Sequence, residues 1–460
     1  MSGIIVMLAA LAALVILTYR GASLLLSAPA LAVLAVLVAE GGPVLATFTQ
    51  VFMPATGRFI ILYFPLFLLG AVFGKLMEAS GSARVLADAL RAGFGPRHAI
   101  LAVVMSCALL TYGGVSLFVV AFAVWPIASA LFADARLPRV LIPAAIALGA
   151  FTFTMTALPG TPAIQNAIPM PYFQTTAFAA PGLGIIASLI MFGLGWLWLE
   201  HRARSLGRGP EPAPGSDPDG GSKAARPSLL LAVLPLASVL ALNVAFAFWL
   251  IPMLDASYLA MPKYGSTDIA AVRGLWSIIA SLVLSCLVLV VLHRQSLGET
   301  LGETLDAGAV DSLKPIFNTA SLVGFGAVIA SLEAFSWVRD GVLAMGGGNP
   351  LISLALGTSL LAGLTGSASG GMSIALESLG HAYREMGLAA GISPDLMHRV
   401  TSLATGSLDA LPHNGAVVTL LTICGLTHRE AYGDIAMVAV IIPTVALVAV
   451  IVLGTVFGSF

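Results

Sequence analysis

Charged residues are scarce in this chain of 460 residues. Only 9% are Asp, Glu, Lys or Arg, against about 25% in an ordinary soluble domain, whereas 58% are hydrophobic. This shortage excludes an ordinary soluble enzyme and a disordered chain, and a net charge of −1 provides no basic surface for a nucleic acid. The sequence therefore predicts an all-α polytopic membrane protein, because helices are what such apolar runs form in a bilayer.

Cysteine is also scarce, and the usual catalytic motifs are missing. Cys107, Cys286 and Cys424 lie in apolar runs without metal-ligand or CxxC spacing, so we expect packing residues and neither disulfides nor a metal site. The sequence has no HExxH or GxSxG motif, and TGSASGG at 365–371 lacks the GK[ST] ending of a P-loop. We expect no enzyme and no cofactor.

Apolar runs and their interruptions define the predicted architecture. Continuous runs predict membrane spans at 3–19, 22–39, 57–79, 178–200, 228–252, 270–293, 314–335 and 434–459. Stretches interrupted by Gly, Pro, Ser, Thr or Asn predict re-entrant helical hairpins at 98–133 and 350–380, and broken transmembrane helices at 138–176 and 394–427. The charged, Pro- and Gly-rich segment 201–227 predicts a flexible linker outside the membrane.

The two halves of the chain share motifs at an almost constant separation. Pro96 and Pro350 each end a Gly-rich linker, and the tripeptide at 157–159 recurs at 410–412. An odd number of crossings between spans 57–79 and 314–335 makes the second repeat inverted relative to the first. The predicted domains are scaffold helices 1–56, a first repeat 57–200, the linker 201–227, scaffold helices 228–313 and a second repeat 314–460.

The distribution of Lys and Arg predicts the orientation. Placing the linker 201–227 in the cytoplasm also puts most Lys and Arg there, as the positive-inside rule requires. Both termini then lie outside, and the protein resides in a bacterial-type cytoplasmic (inner) membrane. The basic residues left on the outer side are Arg58, Lys263, Arg273, Arg339, Arg384 and Arg399.

The four interruptions are predicted to converge on one binding site near the midplane, because paired broken helices in inverted repeats are typical of secondary transporters. They contain hydroxyls, amides and helix N-termini, which attract anions, but no Lys or Arg, so the site suits a small anion that carries hydroxyl groups. The alternative is that these small residues serve close helix packing. The candidate substrate-binding residues are Thr111, Tyr112, Gly113, Gly114, Ser116, Gly160, Thr161, Gln165, Asn166, Thr365, Gly366, Ser367, Ser369, Gly370, Gly371, His413, Asn414 and Gly415.

Two ionisable residues at the last interruption are candidates for proton coupling. Asp409 and His413 are four residues apart in an apolar segment, and ionisable groups inside spans are functional candidates. The alternative is that Asp409 only braces the break through hydrogen bonds. The remaining histidines, including His293 and His398, are predicted to lie at span ends or in loops, in contact with water.

Five segments of the sequence resemble the gluconate:proton symporter (GntP) family of the ion-transporter superfamily. They are FPLFLLGAVFGKLMEASGSAR (64–84), LLTYGGVSLFVVAFAVWPIA (109–128), IPAAIALGAFTFTMTALPGTPAIQNAIP (142–169), LAGLTGSASGGMSIAL (361–376) and LDALPHNGAVVTLLTICGLTHREAY (408–432). The resemblance implies a homodimeric carrier with an elevator mechanism, in which the mobile part is 98–176 plus 350–427 and the unbroken spans form the scaffold.

The resemblance also implies the substrate and the coupling ion. We expect import of a small hydroxycarboxylate, 3-hydroxybutyrate or a gluconate-type sugar acid, with a proton as the coupling ion and membrane lipid around the protein. A sodium-coupled carboxylate transporter on the same fold is the main alternative. An anion channel, a non-transporting receptor and an intramembrane enzyme are the others.

Overall fold

The structure, a computed structural model, describes residues 2–20, 22–95, 98–115, 117–207, 227–344, 348–412 and 414–460, and these are all helical or irregular. The α-helices are α1 Ser2–Tyr19, α2 Leu24–Glu40, α3 Val44–Thr47, α4 Met53–Ala79, α5 Ser82–Phe94, α6 Ala99–Tyr112, α7 Leu117–Asp134, α8 Ile142–Ala150, α9 Phe153–Thr156, α10 Ile164–Ala167, α11 Pro169–Phe173, α12 Pro181–Leu206, α13 Leu229–Ala245, α14 Ile269–Leu292, α15 Arg294–Leu297, α16 Leu301–Ser331, α17 Phe335–Ala344, α18 Pro350–Thr365, α19 Ala368–Ala389, α20 Pro394–Leu408, α21 Gly415–Cys424, α22 His428–Ala436 and α23 Ile442–Phe457. The π-helical turns Phe48–Phe52, Phe246–Leu250 and Met437–Ile441 continue neighbouring helices.

Seven helical segments of the described chain are long and apolar enough to cross a membrane. They are Val44–Ala79, Arg139–Thr156, Pro181–Leu206, Leu229–Leu250, Ile269–Leu292, Leu301–Ser331 and His428–Phe457. The prediction of an all-helical, multi-pass membrane protein is therefore confirmed. The helix predicted at 314–335 begins earlier, at Leu301, because Glu303 and its polar neighbours continue the same helix beyond the apolar run. Of the predicted linker 201–227, residues 208–226 lie outside the described residues.

The two stretches predicted as hairpins each form two helices joined by a short turn. Helices α6 and α7 pack together, as do α18 and α19. The arms α6, with 14 residues, and α18, with 16, are about 21 and 24 Å long, shorter than the hydrocarbon core of about 30 Å. In the second hairpin, Gly366 ends α18 with a left-handed φ of 60°, and a Cβ at Gly371 would collide with the backbone of Ala362. Glycine is required at both positions by this turn and this close approach.

Corresponding spans of the two halves pack side by side and run in opposite directions. Helix α4 lies along α16, where Gly308 contacts Val72 and Gly324 contacts Thr56. Each contact joins the beginning of one helix to the later part of the other, so the two helices are antiparallel. Helices α12 and α23 are arranged in the same way. The N–H of Gly182, in the first turn of α12, donates to the carbonyl of Phe460 after α23. Arg202 near the end of α12 donates to the carboxylate of Asp434 before α23, at 2.8 Å.

The main hydrophobic core connects the two hairpins, the broken segments and the long spans. A smaller cluster attaches the N-terminal helices α1 and α2 to α16, through side chains that include Met7, Leu14 and Phe325. This arrangement places the interrupted segments in the centre of the protein, with α13, α14, α4 and α16 packed against them.

Replacing glycine by alanine is expected to change stability differently at two positions of α16, because only one of the two glycines packs against α4. A Cβ at Gly308 would lie 2.7 Å from the Cα of Val72, whereas Gly302 has open space around it. We expect Gly308→Ala to lower the free energy of unfolding by about 1–3 kcal/mol, because the backbone of α4 has to shift. The matched change Gly302→Ala is expected to leave stability equal or higher by up to about 1 kcal/mol, since alanine favours helix. Thermal melting of the purified protein in detergent measures both, and equal melting temperatures would contradict this packing.

Candidate functional site

The first break is the irregular segment between α9 and α10, and the side chain of Asn166 holds it together. The Asn166 amide donates to the carbonyls of Thr161 and Ala177, at 3.0 and 2.9 Å. Gly160 has a φ of 81° and donates its N–H to the same Ala177 carbonyl, at 2.8 Å. Backbone N–H and C=O groups at membrane depth that cannot bond within a helix need other hydrogen-bond partners such as these. Thr161 is buried as well, and its hydroxyl accepts from the N–H of Ala163.

Two buried basic residues of α20 surround the oxygen of Asn166. His398 Nε2 lies 3.2 Å from Asn166 Oδ1, while its Nδ1 lies 2.6 Å from the Thr175 hydroxyl. The Arg399 guanidinium donates to Asn166 Oδ1 at 3.3 Å, to the Thr156 carbonyl at 3.0 Å and to the Ala179 carbonyl at 2.7 Å. Both side chains are 0% exposed.

The burial of these two residues, and that of His293, differs from the sequence prediction. Arg399 and His398 were expected at the outer surface and at a span end, but the helices packed around α20 exclude water from both. His293 is also buried, at 4% exposed. The four interruptions themselves contain no Lys or Arg, but Arg399 of α20 bonds to Asn166, a predicted substrate-binding residue. Arg399 and His398 lie inside the predicted broken helix 394–427, so the rule that singled out Asp409, an ionisable group within a span, would have found them.

The turn of the first hairpin meets the first break. The Tyr112 hydroxyl donates to the Pro159 carbonyl at 2.5 Å, and Gly114, with a φ of 94°, packs against Pro162. The hydroxyl of Thr111 is buried without a hydrogen-bond partner among the described residues. Gly113 packs tightly against Leu236 of α13. Ser116, a predicted site residue, lies outside the described residues.

The second break and the second hairpin are joined by Asn414. Its amide nitrogen donates to the carbonyls of Gly366, at 3.0 Å, and Asp409, at 2.8 Å. Its oxygen caps α21 by accepting from the N–H groups of Ala416 and Val417. The carboxyl group of Asp409 interacts electrostatically with the backbone of Ala368, at the start of α19. His413 lies outside the described residues.

The other predicted residues of the second hairpin have mixed environments. The Thr365 hydroxyl donates to the Leu361 carbonyl of its own helix, and Ser367 caps α19 by accepting from the N–H of Gly370. Ser369 lies 3.4 Å from the hydroxyl of Thr319 on α16. Gly370 and Gly371 pack closely against neighbouring helices, whereas Gly415, at the start of α21, has no atom within 4 Å of its Cβ position. Packing thus accounts for part of the predicted set, and Gly415 leaves room for a ligand.

The two breaks are brought together by contacts between the halves. Ser402 of α20 donates to the Gln165 carbonyl at 3.1 Å, and a Cβ at Gly406 would lie 3.0 Å from Thr156. Arg139, just before α8, donates to the Cys424 carbonyl at the end of α21, at 3.0 Å. Each broken segment therefore carries an arginine that bonds to a backbone carbonyl of the other. Within the described residues, no group of three or more His, Cys, Asp or Glu side chains is placed to hold a metal ion.

Comparisons with known proteins identify relatives over the whole length. No protein-family model matches the chain. It is 42% identical over 470 residues to the uncharacterized transporter YxjC of Bacillus subtilis (strain 168), an alignment that covers 99% of both chains. The solved structure of Neisseria gonorrhoeae MtrF, described as illuminating a class of antimetabolite efflux pumps, has a TM-score of 0.55 at 14% identity, covering 92% of this chain and 85% of that one. The likeness to MtrF shows a shared fold. The Alcanivorax borkumensis YdaH transporter has a TM-score of 0.49 at 16% identity, with 92% of this chain and 91% of that chain covered.

The double role of Asn414 predicts a graded loss of stability. Asn414→Asp keeps an oxygen that caps α21 but loses the donors to Gly366 and Asp409, whereas Asn414→Ala loses both roles. We expect Asn414→Ala to cost about 2 kcal/mol and Asn414→Asp about half of that, from typical values for a helix cap and a buried hydrogen bond. Thr419→Ala is the control, because this hydroxyl bonds only to the Gly415 carbonyl of its own helix. Denaturation in detergent gives the ranking, and an Asn414→Ala protein as stable as the control would contradict this role.

Proposed function

This chain belongs to the family of the Bacillus subtilis transporter YxjC, and from that premise we propose that it carries a small hydroxycarboxylate anion into the cell together with a proton. The protein is a secondary transporter of a small molecule and not an enzyme, in keeping with its transporter relatives. The substrate class, 3-hydroxybutyrate or a gluconate-type sugar acid, and membership of the gluconate:proton symporter family are our proposal. So are the homodimer and the inner-membrane location with a cytoplasmic linker.

The observation that carries the proposal is the meeting of two helix N-termini at the second break. Helices α19 and α21 both begin there, and Asn414 links the turn before α19 to the start of α21. The positive ends of the two helix dipoles attract a carboxylate. The hydroxyls of Ser367 and Ser369 lie at the start of α19, so they suit a substrate that carries hydroxyl groups. Gly415 leaves space beside them.

Asp409 is our proposed proton carrier. Its carboxyl group interacts electrostatically with the backbone of Ala368, at the N-terminus of α19 that the substrate is proposed to use. A protonated carboxyl group is a hydrogen-bond donor and has no charge, so it competes less with a substrate anion for that helix end. Protonation and anion binding would then favour one another. His413 remains the second candidate for this role.

An elevator movement of the interrupted segments, together with α12 and α23, past the long spans α4 and α16 is proposed as the transport step. Its support is the antiparallel packing of α4 on α16 and of α12 on α23, which fits two inverted repeats. Arg139 and Arg399 join the two broken segments into one body. Helices α12 and α23 pack on that body through Gly195 against Leu148 and Gly454 against Leu396, so we propose that they move with it.

Sodium coupling is the second candidate, because two amide oxygens near the first break are buried without a hydrogen-bond partner among the described residues. They are Gln165 Oε1 and Asn243 Oδ1. The nitrogen of the Asn243 amide donates to the Gly160 carbonyl at 3.2 Å, which places this side chain at the break. Amide and carbonyl oxygens are ligands for hard cations. We propose Gln165 as a ligand either of the substrate or of a bound cation.

Counterflow in proteoliposomes tests the substrate class and the coupling ion. Vesicles loaded with unlabelled gluconate or 3-hydroxybutyrate are expected to accumulate the labelled compound, which a channel cannot do. An inward proton gradient is expected to drive uptake in the wild type, and Asp409→Asn is expected to keep counterflow but to lose about tenfold or more of the gradient-driven rate. Undiminished pH-driven uptake by Asp409→Asn would remove the proton role of Asp409. Uptake that follows a sodium gradient would favour the second candidate.

A disulfide across the proposed moving boundary tests the elevator. The hydroxyls of Thr319 on α16 and Ser369 on α19 are 3.4 Å apart, so the double variant Thr319→Cys/Ser369→Cys is expected to lose, on oxidation, nearly all the transport that its reduced form retains. The single variant Ser369→Cys, which changes a proposed substrate residue, gives the baseline. The control pair Ser359→Cys/Ser407→Cys joins α18 to α20 within the proposed moving body, where the hydroxyls are 2.8 Å apart. Oxidation of the control is expected to leave transport intact. Full transport by an oxidised 319–369 pair would contradict the proposed movement.

A further inference from the structure

We infer that Arg399 is a positioning residue that selects an anionic substrate: its guanidinium fixes the shape of the first break, and its buried positive charge attracts the carboxylate to the site. This inference rests on the proposed transport of a carboxylate. Positive charge at the binding site was not expected from the four interruptions themselves, which contain no Lys or Arg.

The hydrogen bonds of Arg399 explain the first part of this role. Its acceptors are the carbonyl of Thr156 at the end of α9, the Asn166 oxygen in the short helix α10, and the carbonyl of Ala179 just before α12. The guanidinium therefore joins helix ends on both sides of the first break. The planar fork of a guanidinium can bond to several fixed acceptors at once, which the single ammonium of lysine cannot match.

The charge of Arg399 is not neutralised by an ion pair. None of the ion pairs among the described residues includes this guanidinium, and its bonds go to neutral oxygens. Asp395, one turn earlier on α20, interacts with it electrostatically, but Arg273 interacts with the same carboxylate. Two cations thus share one partly buried anion. A buried charge without a partner is unfavourable, and in membrane proteins such groups mark substrate pathways.

Arg139 shows that bracing a break does not require a buried charge. It makes the reciprocal bond to the Cys424 carbonyl from an exposed position, with its guanidinium 5.0 Å from the centre of the Trp125 ring. Arg399 is 0% exposed, and it interacts electrostatically with Tyr112 of the first hairpin turn. The structure therefore contains a matched control: one arginine that braces a break at the surface, and one that braces a break while it carries a buried positive charge.

Ligand binding by charge variants separates the two parts of the role. The purified full-length protein is titrated with gluconate, 3-hydroxybutyrate and acetate, and with the uncharged amides of the first two, and thermal stabilisation gives the dissociation constants. Arg399→Gln is expected to weaken binding of the anions by about tenfold or more without weakening the amides, because only the anions interact with the lost charge. Arg399→Lys keeps the charge, so it is expected to lower the melting temperature but to hold anion affinity within about threefold of wild type. Arg139→Gln is expected to leave anion affinity unchanged.

A second variant keeps the inference testable if Arg399→Gln does not fold. Asp395→Asn removes the nearby negative charge and leaves every hydrogen bond of the guanidinium in place. It is expected to tighten anion binding by about threefold, because the positive charge of Arg399 is then less compensated.

The outcomes for this inference and for the proposed function are distinct. The charge role would be overturned if anion affinity were unchanged in Arg399→Gln or in Asp395→Asn. It would also be overturned if the wild type bound the amides as tightly as the anions. A wild type that binds carboxylates with this charge dependence but shows no counterflow of gluconate or 3-hydroxybutyrate would instead overturn the proposed transport of these compounds.

Discussion

The requirement that every buried backbone polar group find a partner governs this structure. Where a helix is interrupted at membrane depth, no water replaces the lost intrahelical bonds, and side chains must do so. Asn166 satisfies the first break through two donors and a shared oxygen, and Asn414 satisfies the second by capping α21 and holding the turn before α19. An amide side chain suits both positions because it donates and accepts at once.

This requirement also connects the two halves. Arg139 and Arg399 each bond to a carbonyl contributed by the opposite broken segment, so neither break is complete without the other half. Glycines then allow α12 and α23 to approach the same body. The result is a packed centre with two helix N-termini and few charges, surrounded by apolar spans. Such a centre can attract an anion without holding it by a permanent ion pair, as a transporter that must release its substrate requires.

The environments of the candidate residues show how far residue type alone predicts a role. Gly160 and Gly366 were chosen because glycine interrupts helices, and both have left-handed backbone. Gly371 was chosen on the same ground, but its lack of a side chain serves the contact between α18 and α19. Asn166 was chosen as a ligand, and its donors and its acceptor are all used within the protein. Polar and small residues mark where a membrane helix is unusual, whereas the neighbours decide whether the reason is binding or packing.

The sequence by itself determined the membrane class, six of the seven long apolar helices and the places where helices are interrupted, because hydropathy and helix breaking are local properties of the chain. The runs 3–19 and 22–39, predicted as spans, form shorter apolar helices. The tertiary structure decided which polar groups meet. Arg399 bonds to Thr156 across 243 residues, and it is buried only because α20 packs against the first broken segment. A charged residue near a Pro-flanked helix start has the same local pattern whether water or protein surrounds it. Its environment is a property of the assembled helices, which no window of neighbouring residues contains.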